Sequence, residues 1–347
     1  MAHTVDVVVV GGGIAGVSCA YFAAARGHRV AVVERESELG LHSSGRSAAT
    51  LIPGYGGEDA DELTSASLQF FEADAGGHAT SPLLTPRDLL WIEPADAGDE
   101  LERLIGATSI SVKEAHAMCP VLRPETITSA EIQLGGMDIH VEGLLQAYVR
   151  GARSHGAVVH RSREAVQLRR EATSWTVEAG GESWNSRVVV NAANAWADEL
   201  AQRAGLAPAG LRPLKRTAFI APSESAEPAL PLVYAGDDTF YFKPDVPGHI
   251  LGSRADESPH PPGDPRADEL DVAFAIERIN THTTLAIRSV RRTWAGLRVF
   301  ASDRRPVIGP DPSDQTFVWC AGLGGTGVQT SPGLGQRVAD HIDSALA

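Results

Sequence analysis

The feature that most constrains this chain is the join between its first strand and first helix. A largely apolar run, Val5 to Val10, is long enough for a buried parallel strand and feeds directly into Gly11, Gly13 and Gly16. An alanine-rich helical stretch follows, Ile14 to Arg26, with Gly27 placed to end it, and a second apolar strand, Arg29 to Val33, delivers Glu34. Each residue type has a physical task. Gly11 permits the tight turn, Gly13 lets backbone approach a pyrophosphate, and Gly16 lets helix and strand pack closely. The helix N-terminus offers free N–H groups and the positive end of its dipole to phosphate. Glu34 stands where a carboxylate accepts both ribose hydroxyls, and it would repel a 2′-phosphate. Strand, turn, helix and acid together specify a dinucleotide-binding unit.

The chain has 347 residues, enough for two domains with separate cores. Its apolar content is 43% and its charged content 21%, the balance of a soluble globular protein. The formal net charge of −14 speaks against nucleic acid and anionic membrane surfaces as partners. No run approaches the length of a membrane span, and the early first strand leaves no room for a signal peptide. Three scattered cysteines and the absence of any histidine pair at metal spacing predict no metal and a reducing compartment. The expected location is therefore the cytoplasm.

Along the chain, Ser43 to Ser47 is a small, hydrogen-bonding stretch, readable equally as a plain surface loop. Tyr55 lies between Gly54 and Gly56–Gly57, which suits a hinged lid as well as an exposed turn. Asp59 to Glu72 has helical periodicity, with Leu63, Ala66, Phe70 and Phe71 expected inward. The stretch SPLLTPRDLLWIEP is strand-like, and acidic helices are expected at Ala97 to Ile105 and Val112 to Met118. Strands are expected within Ile127 to His140, broken at Gly135–Gly136. From Val141 a helix and a short parallel-type strand return the chain to the nucleotide sheet. Two hairpin-like strands follow, Ala165 to Arg169 and Ser174 to Ala179, and then Val188 to Val190 leads through Ala192, Ala193 and Ala195 into a helix. Alternation over Arg212 to Tyr241 predicts antiparallel strands with one buried face. Residues 254–268 read as a loop, Asp268 to Thr281 as a helix, and RTWAGLRVF as a strand carrying Arg298. A final strand, a second glycine-rich turn and a last helix close the chain. The implied boundaries are a nucleotide domain at 1–81, 141–210 and 300–347, and a second domain at 82–140 and 211–299.

Read in this order, VVGGGIAG with Glu34, HSSGRSAA, VVVNAANAWA, LKRTAF, FYFKPD, TWAGLR and GLGGTGVQTS resemble the D-amino-acid oxidase-like family of FAD enzymes. Within it the likeness is strongest to bacterial D-amino-acid dehydrogenases of the D-arginine dehydrogenase type. The resemblance implies an α/β fold of two domains, a Rossmann-like FAD domain and a mixed, mostly antiparallel substrate-domain sheet. It implies FAD lying along Gly11, Gly13, Ile14, Ala15 and Gly16, with Glu34 and Arg35 at the ribose end. Ser43, Ser44, Gly45, Arg46, Ser47 and Ala48 would follow the pyrophosphate and flavin, beside Ala193 and Trp196. Gly324, Gly325, Thr326, Gly327, Val328, Gln329 and Thr330 would lie under the flavin's pyrimidine edge, where a helix N-terminus stabilises the anion of the reduced ring. Arg216, Arg298 and Tyr241, with Tyr55 from the lid, would hold the substrate carboxylate above the flavin. By themselves, Arg216 beside Lys215 also reads as a surface residue and Arg298 as a core-edge ion pair.

The implied reaction is oxidation of a C–N bond by hydride transfer from the α-carbon to flavin, giving an imino acid that water hydrolyses. Four positions depart from the pattern. Thr50 replaces a histidine, Asn194 replaces the glycine of an Asn-Ala-Ala-Gly turn, and Leu89, next to Asp88, stands where relatives acting on cationic side chains have a carboxylate. The segment before Pro306 lacks a flavin-tethering cysteine. The expectation is therefore a non-covalent FAD and a D-amino acid with a small or apolar side chain. A glycine, sarcosine or other secondary-amine oxidase is the alternative, and a non-catalytic flavin-binding protein the second alternative. A nicotinamide-dependent reductase is disfavoured because no second complete G-x-G-x-x-G unit appears. The electron acceptor, oxygen or a quinone, is open from sequence.

Overall fold

The computed structural model describes residues 2–97 and 106–347, so the helix expected over Ala97 to Ile105 lies outside the described residues except for Ala97. Valine-rich runs form the centre of one sheet. Its strands are ordered Val158–His160, Val30–Val33, Val7–Val10, Val188–Asn191 and Phe317–Ala321, all parallel, with Val307–Pro310 antiparallel at the edge. Near-continuous apolar strands are what a sheet covered on both faces demands. Val7, Val9, Val30, Val32, Val188 and Val190 pack on the helices Ile14–Ala25, Val141–Ser154 and Ser331–Leu346. The alternate residues Val8, Val10, Val33 and Val189 face the opposite layer with Trp175, Val177 and Trp184.

That opposite layer is a four-stranded sheet, Ala2–Thr4, Glu182–Ser186, Trp175–Ala179 and Ala165–Arg170. Alternation anticipated only two of these strands. The third, Glu182–Ser186, is polar except for Trp184, which is fully buried. Its pairing with the chain's own N-terminus is a tertiary contact that no local pattern records.

The second large sheet carries Leu89–Pro94, Thr108–Ile110, Ile127–Gln133, Arg212–Pro222, Leu232–Ala235, Tyr241–Pro244, His249–Ser253, Ser258–Pro259 and Arg292–Phe300. It is antiparallel apart from Leu232–Ala235 against Leu89–Pro94. Phe219, Phe240, Phe242, Ile250 and Leu90 point to one face, covered by the helices Val112–Met118 and Glu269–His282. Leu89, Tyr241, Leu251 and Ile220 point to the other, with Ile52 and Tyr55 against them. The stretch from Ser81 to Pro94, expected as one strand, is two. Leu84–Pro86 pairs with Met137–Ile139 in a small sheet completed by Thr50–Leu51, and the chain changes sheets at Arg87–Asp88.

Glu58–Glu72 is helical, with Leu63, Phe70 and Phe71 buried as expected. Ala66 is exposed instead, and the buried stripe is completed by Thr64 and Ser67. Their hydroxyls bond back to Ala60 and Leu63, which hides their polarity, and Ser67 also receives the Gly333 N–H at 3.0 Å. Small residues let the last helix approach closely. A Cβ on Gly335 would meet the Phe22 ring at 2.6 Å and the Ser18 carbonyl group at 3.0 Å. No described helix is long and apolar enough to cross a membrane. Gly335→Val should therefore overpack the contact between first and last helices and cost about 1–3 kcal/mol. The check is a lowered thermal midpoint; an unchanged one contradicts this close approach.

Candidate active site

A cleft of about 1580 Å³, open to solvent, runs from the first strand–helix turn to the inner face of the second sheet. Its floor is made by two close approaches. Gly11 has φ +113°, and a side chain there would strike the Ala192 carbonyl. A Cβ on Gly16 would overlap the Gly11 carbonyl oxygen, so helix and turn meet only because both residues are glycine. On Gly13 a Cβ would touch only Ser44, at 3.3 Å, and would otherwise fill the cleft.

Glu34, 8% exposed, ends its strand with both carboxylate oxygens anchored. One accepts the Gly12 N–H at 2.5 Å and the other the Glu36 N–H at 2.8 Å. Each oxygen keeps a lone pair for a hydroxyl. Arg35 lies over the Trp196 ring, 4.1 Å from its centroid. Ser44 caps the first helix from a distance, accepting the Ile14 N–H at 3.0 Å. Ser43 donates to the Leu297 carbonyl at 2.7 Å and accepts from Asn194 at 3.0 Å. Asn194 adopts φ +48°, a left-handed conformation that asparagine tolerates better than most side chains. The glycine replacement noted in the sequence is thereby explained.

Of the residues expected along the cofactor, Gly11, Gly13, Ile14, Ala15, Glu34, Arg35, Ser43, Ser44, Arg46, Ser47, Ala48, Ala193, Trp196, Gly324, Gly325, Gly327 and Val328 line the cleft. Others support it from behind. Gly16 packs on Gly11, and Gly45 donates its N–H to the Gly40 carbonyl at 2.7 Å. Thr326 bonds back to the Leu323 carbonyl, Thr330 to that of Thr326, and Gln329 is buried, holding both the N–H and carbonyl of Ile52. Gln329 thus fixes the segment before Tyr55 and faces away from the cleft.

Strand register sets the opposite wall. Arg216 pairs across from Gly296 and Leu214 from Arg298, so the two arginines are diagonal neighbours on one face. Trp294, Ala218, Ser253, Tyr241, Tyr234 and Trp91 form a continuous cross-strand row on that face. The ring centroids are 5.6 Å apart for Tyr241–Tyr234 and 4.8 Å for Tyr234–Trp91. Arg216, Arg298 and Tyr241 all line the cleft. Tyr55, on its turn of positive-φ glycines at 54, 56 and 57, accepts a hydrogen bond from Arg298 at 3.1 Å. The Arg298 charge, against the opposing effect of burial, holds the Tyr55 phenol below its ordinary value.

Neither arginine has its plain sequence alternative. Arg216 is 8% exposed and not at the surface. Its Nε donates to the Asp256 carbonyl at 2.7 Å and its Nη2 to Glu257 at 3.3 Å, while Nη1 is buried without a partner. Arg298 bonds to a phenol rather than a carboxylate. Asp256 receives the Thr217 N–H at 2.7 Å, and burial raises its carboxyl above the usual range. Asp256 and Glu257 lie in the stretch read only as a loop, and Tyr234 in a strand where no feature singled it out. Thr50, at the missing histidine, accepts from the buried Lys243, whose Nζ also donates to Asp138 at 2.6 Å. Leu89 is buried in the apolar cluster on the cleft-side face, while Asp88 accepts the Gly135 N–H at 3.2 Å in an exposed turn.

These features fit FAD: a long cleft, two glycine-rich turns at helix starts, and an anchored carboxylate at the strand end. Over residues 6–341 the chain matches the family described as FAD dependent oxidoreductase, DAO. It is 26% identical to the glycine oxidase of Geobacillus kaustophilus (strain HTA426), spanning 99% of this chain and 94% of that protein. It is 24% identical to the mitochondrial dimethylglycine dehydrogenase of Rattus norvegicus, covering 97% of this chain but 43% of the relative. In fold it superposes on L-proline dehydrogenase from P. horikoshii with a TM-score of 0.86 at 21% identity, covering 99% and 94% of the two chains. With that match over almost its whole length, laid on a cleft of this construction, the chain belongs to the DAO family of FAD-dependent oxidoreductases.

Proposed function

We propose that the protein oxidises the C–N bond of an amino acid with a small or apolar side chain, a D-amino acid in the first reading. The observation that carries this is the pair Arg216 and Arg298, set by strand register on one wall of the FAD cleft. The unpartnered Nη1 of Arg216 takes one carboxylate oxygen and Arg298 the other, two charge-assisted hydrogen bonds converging on one acid. Tyr241 and Tyr55 orient the acid by hydroxyl groups without adding charge. Glycines on both sides of Tyr55 let its turn close over the substrate and exclude water. The Tyr241 ring, which lines the cleft and is backed by the buried Leu89, Leu251 and Ile52, offers the side chain an apolar surface. Two guanidinium groups nearby disfavour the ammonium form, which favours the neutral amine that the reaction requires. FAD when bound supplies the hydride acceptor.

A second reading is a glycine or secondary-amine substrate. It is favoured by relatives named for glycine, dimethylglycine and, in fold, proline. Both readings use the same clamp and differ in what flanks the reacting carbon and nitrogen.

Anaerobic mixing with D-alanine, D-leucine, D-arginine, glycine, sarcosine and the L-enantiomers separates them. Bleaching of the flavin by D-alanine and D-leucine is expected. Turnover of sarcosine alone replaces the first reading with the second, and bleaching by none of them defeats both. Admitting air afterwards tests oxygen as the electron acceptor. Arg298→Met should lower kcat/KM at least about a hundredfold, since a lost charge-assisted pair costs some 3 kcal/mol. Retained activity would detach Arg298 from substrate. For the cofactor, Glu34→Ala should weaken FAD binding about tenfold or more through loss of the ribose hydrogen bonds. Titrating the apoprotein while following flavin fluorescence measures it, and an unchanged affinity contradicts the assignment.

A further inference from the structure

Arg216 stands at a break in its own sheet. Arg212–Pro222 pairs with His249–Ser253 from Pro222↔His249 as far as Ala218↔Ser253. Pairing resumes with Ser258–Pro259 at Lys215 and Leu214. Between these stretches Arg216 and Thr217 face a longer segment, Arg254 to Glu257, which bulges out of the ladder. Ala255 takes φ +62° within it, a left-handed conformation that a non-glycine residue adopts only when its surroundings impose it.

A bulge deprives ladder groups of their main-chain partners, and here side chains replace them. The Thr217 N–H donates to Asp256 Oδ1 at 2.7 Å, and the Thr217 carbonyl accepts from Ser253 Oγ at 2.6 Å. Ser253 Oγ in turn accepts the Ala255 N–H at 3.1 Å. Asp256, Thr217 and Ser253 are all buried, where an unpaired backbone group is costly. In a regular ladder the main-chain carbonyls are taken by the neighbouring strand. The Asp256 carbonyl instead accepts Arg216 Nε at 2.7 Å. One residue thus holds two successive strand positions, 216 by its main chain and 217 by its side chain. With Nε held, and Nη2 on Glu257, the plane of the guanidinium is set and the unpartnered Nη1 has one direction.

We propose that Asp256 is a positioning residue of this site: by accepting the Thr217 N–H, its carboxyl keeps its own carbonyl on Arg216 Nε and so aims Nη1 at the substrate acid. The proposal rests on the reading of Arg216 as part of a carboxylate clamp and adds what orients it. The role calls for an acceptor rather than a charge, because the link to the guanidinium runs through the carbonyl.

The test uses the FAD-loaded protein and propionate, with binding followed by perturbation of the flavin spectrum. Asp256→Ala should weaken propionate binding about tenfold, the effect of one misaligned charge-assisted hydrogen bond. Asp256→Asn keeps Oδ1, and its amide nitrogen takes the place of Oδ2, 3.5 Å from the Thr217 hydroxyl. It should bind propionate within about twofold of wild type. Arg216→Lys keeps a positive charge but lacks Nε, so adding Asp256→Ala to it should cost less than about twofold more. If Asp256→Ala does not retain FAD, Asp256→Ser, whose hydroxyl is one bond too short to reach Thr217, takes its place with the same expectations. Wild-type affinity in Asp256→Ala overturns the proposal and leaves the clamp standing. So does a tenfold loss repeated in the Arg216→Lys background, which would make the effect general damage to the fold. A tenfold loss in Asp256→Asn overturns it too, because charge would then be the requirement. If wild type does not bind propionate, the clamp fails and the proposal falls with it.

Discussion

Pairing of Arg212–Pro222 with Arg292–Phe300 in a register that sets Arg216 opposite Gly296 is the constraint on which the rest depends. Side chains alternate between the faces of a sheet, so a slip of one residue in either strand would send its arginine to the helix-covered face. That face is already filled by Phe219, Phe240, Phe242 and Ile250. The cost of burying an unpaired guanidinium there, together with exposure of those aromatic rings, holds the register in place. The same alternation lines up Tyr241, Tyr234 and Trp91 as stacked rings on the cleft side. Gly296 contributes by absence, because a Cβ there would meet the Arg46 side chain at 3.4 Å.

Charge near the cleft is arranged so that the two arginines are unequal. Arg216 is locked, with a backbone carbonyl and a carboxylate on two of its nitrogens. Among the described residues Arg298 is hydrogen-bonded to the Tyr55 hydroxyl, on a turn flanked by glycines in left-handed conformations. A cation held by the protein backbone and a carboxylate thus sits beside one bonded to the Tyr55 turn. Gln329 connects that loop to the helix start at the second glycine-rich turn by holding Ile52 through both backbone groups. The turn carrying Tyr55 is in this way tied to the cofactor floor.

The cofactor half was legible because its chemistry is local. Gly11, Gly13, Gly16 and Glu34 lie within one strand–turn–helix–strand unit, and only glycine tolerates the approaches made there to Ala192 and to the Gly11 carbonyl. The valine runs could be read as buried parallel strands for the same reason. Where the reading went astray, the deciding contact was distant in sequence. Ala66 gave way to Ser67 because Gly333 of the last helix donates to its hydroxyl. Ser81 to Pro94 split because its two halves found partners in different sheets. Glu182–Ser186 was passed over because its only strong apolar residue, Trp184, is buried against a layer formed elsewhere in the chain.

By itself the sequence specified a dinucleotide-binding unit at its first turn, and its resemblance to the family singled out Arg216 and Arg298 as a candidate clamp for an acid. Spacing, glycine and terminal carboxylate are properties of short segments, and steric exclusion acts within them. Tertiary structure alone decided that the two arginines share a face, that Arg216 keeps a single free edge, and that Glu257 and Arg304 stand behind it. The sheet register and the path of the 254–268 loop bring charges some forty residues apart to within hydrogen-bonding distance. Coulombic interaction depends on separation in space, and no local pattern encodes that separation.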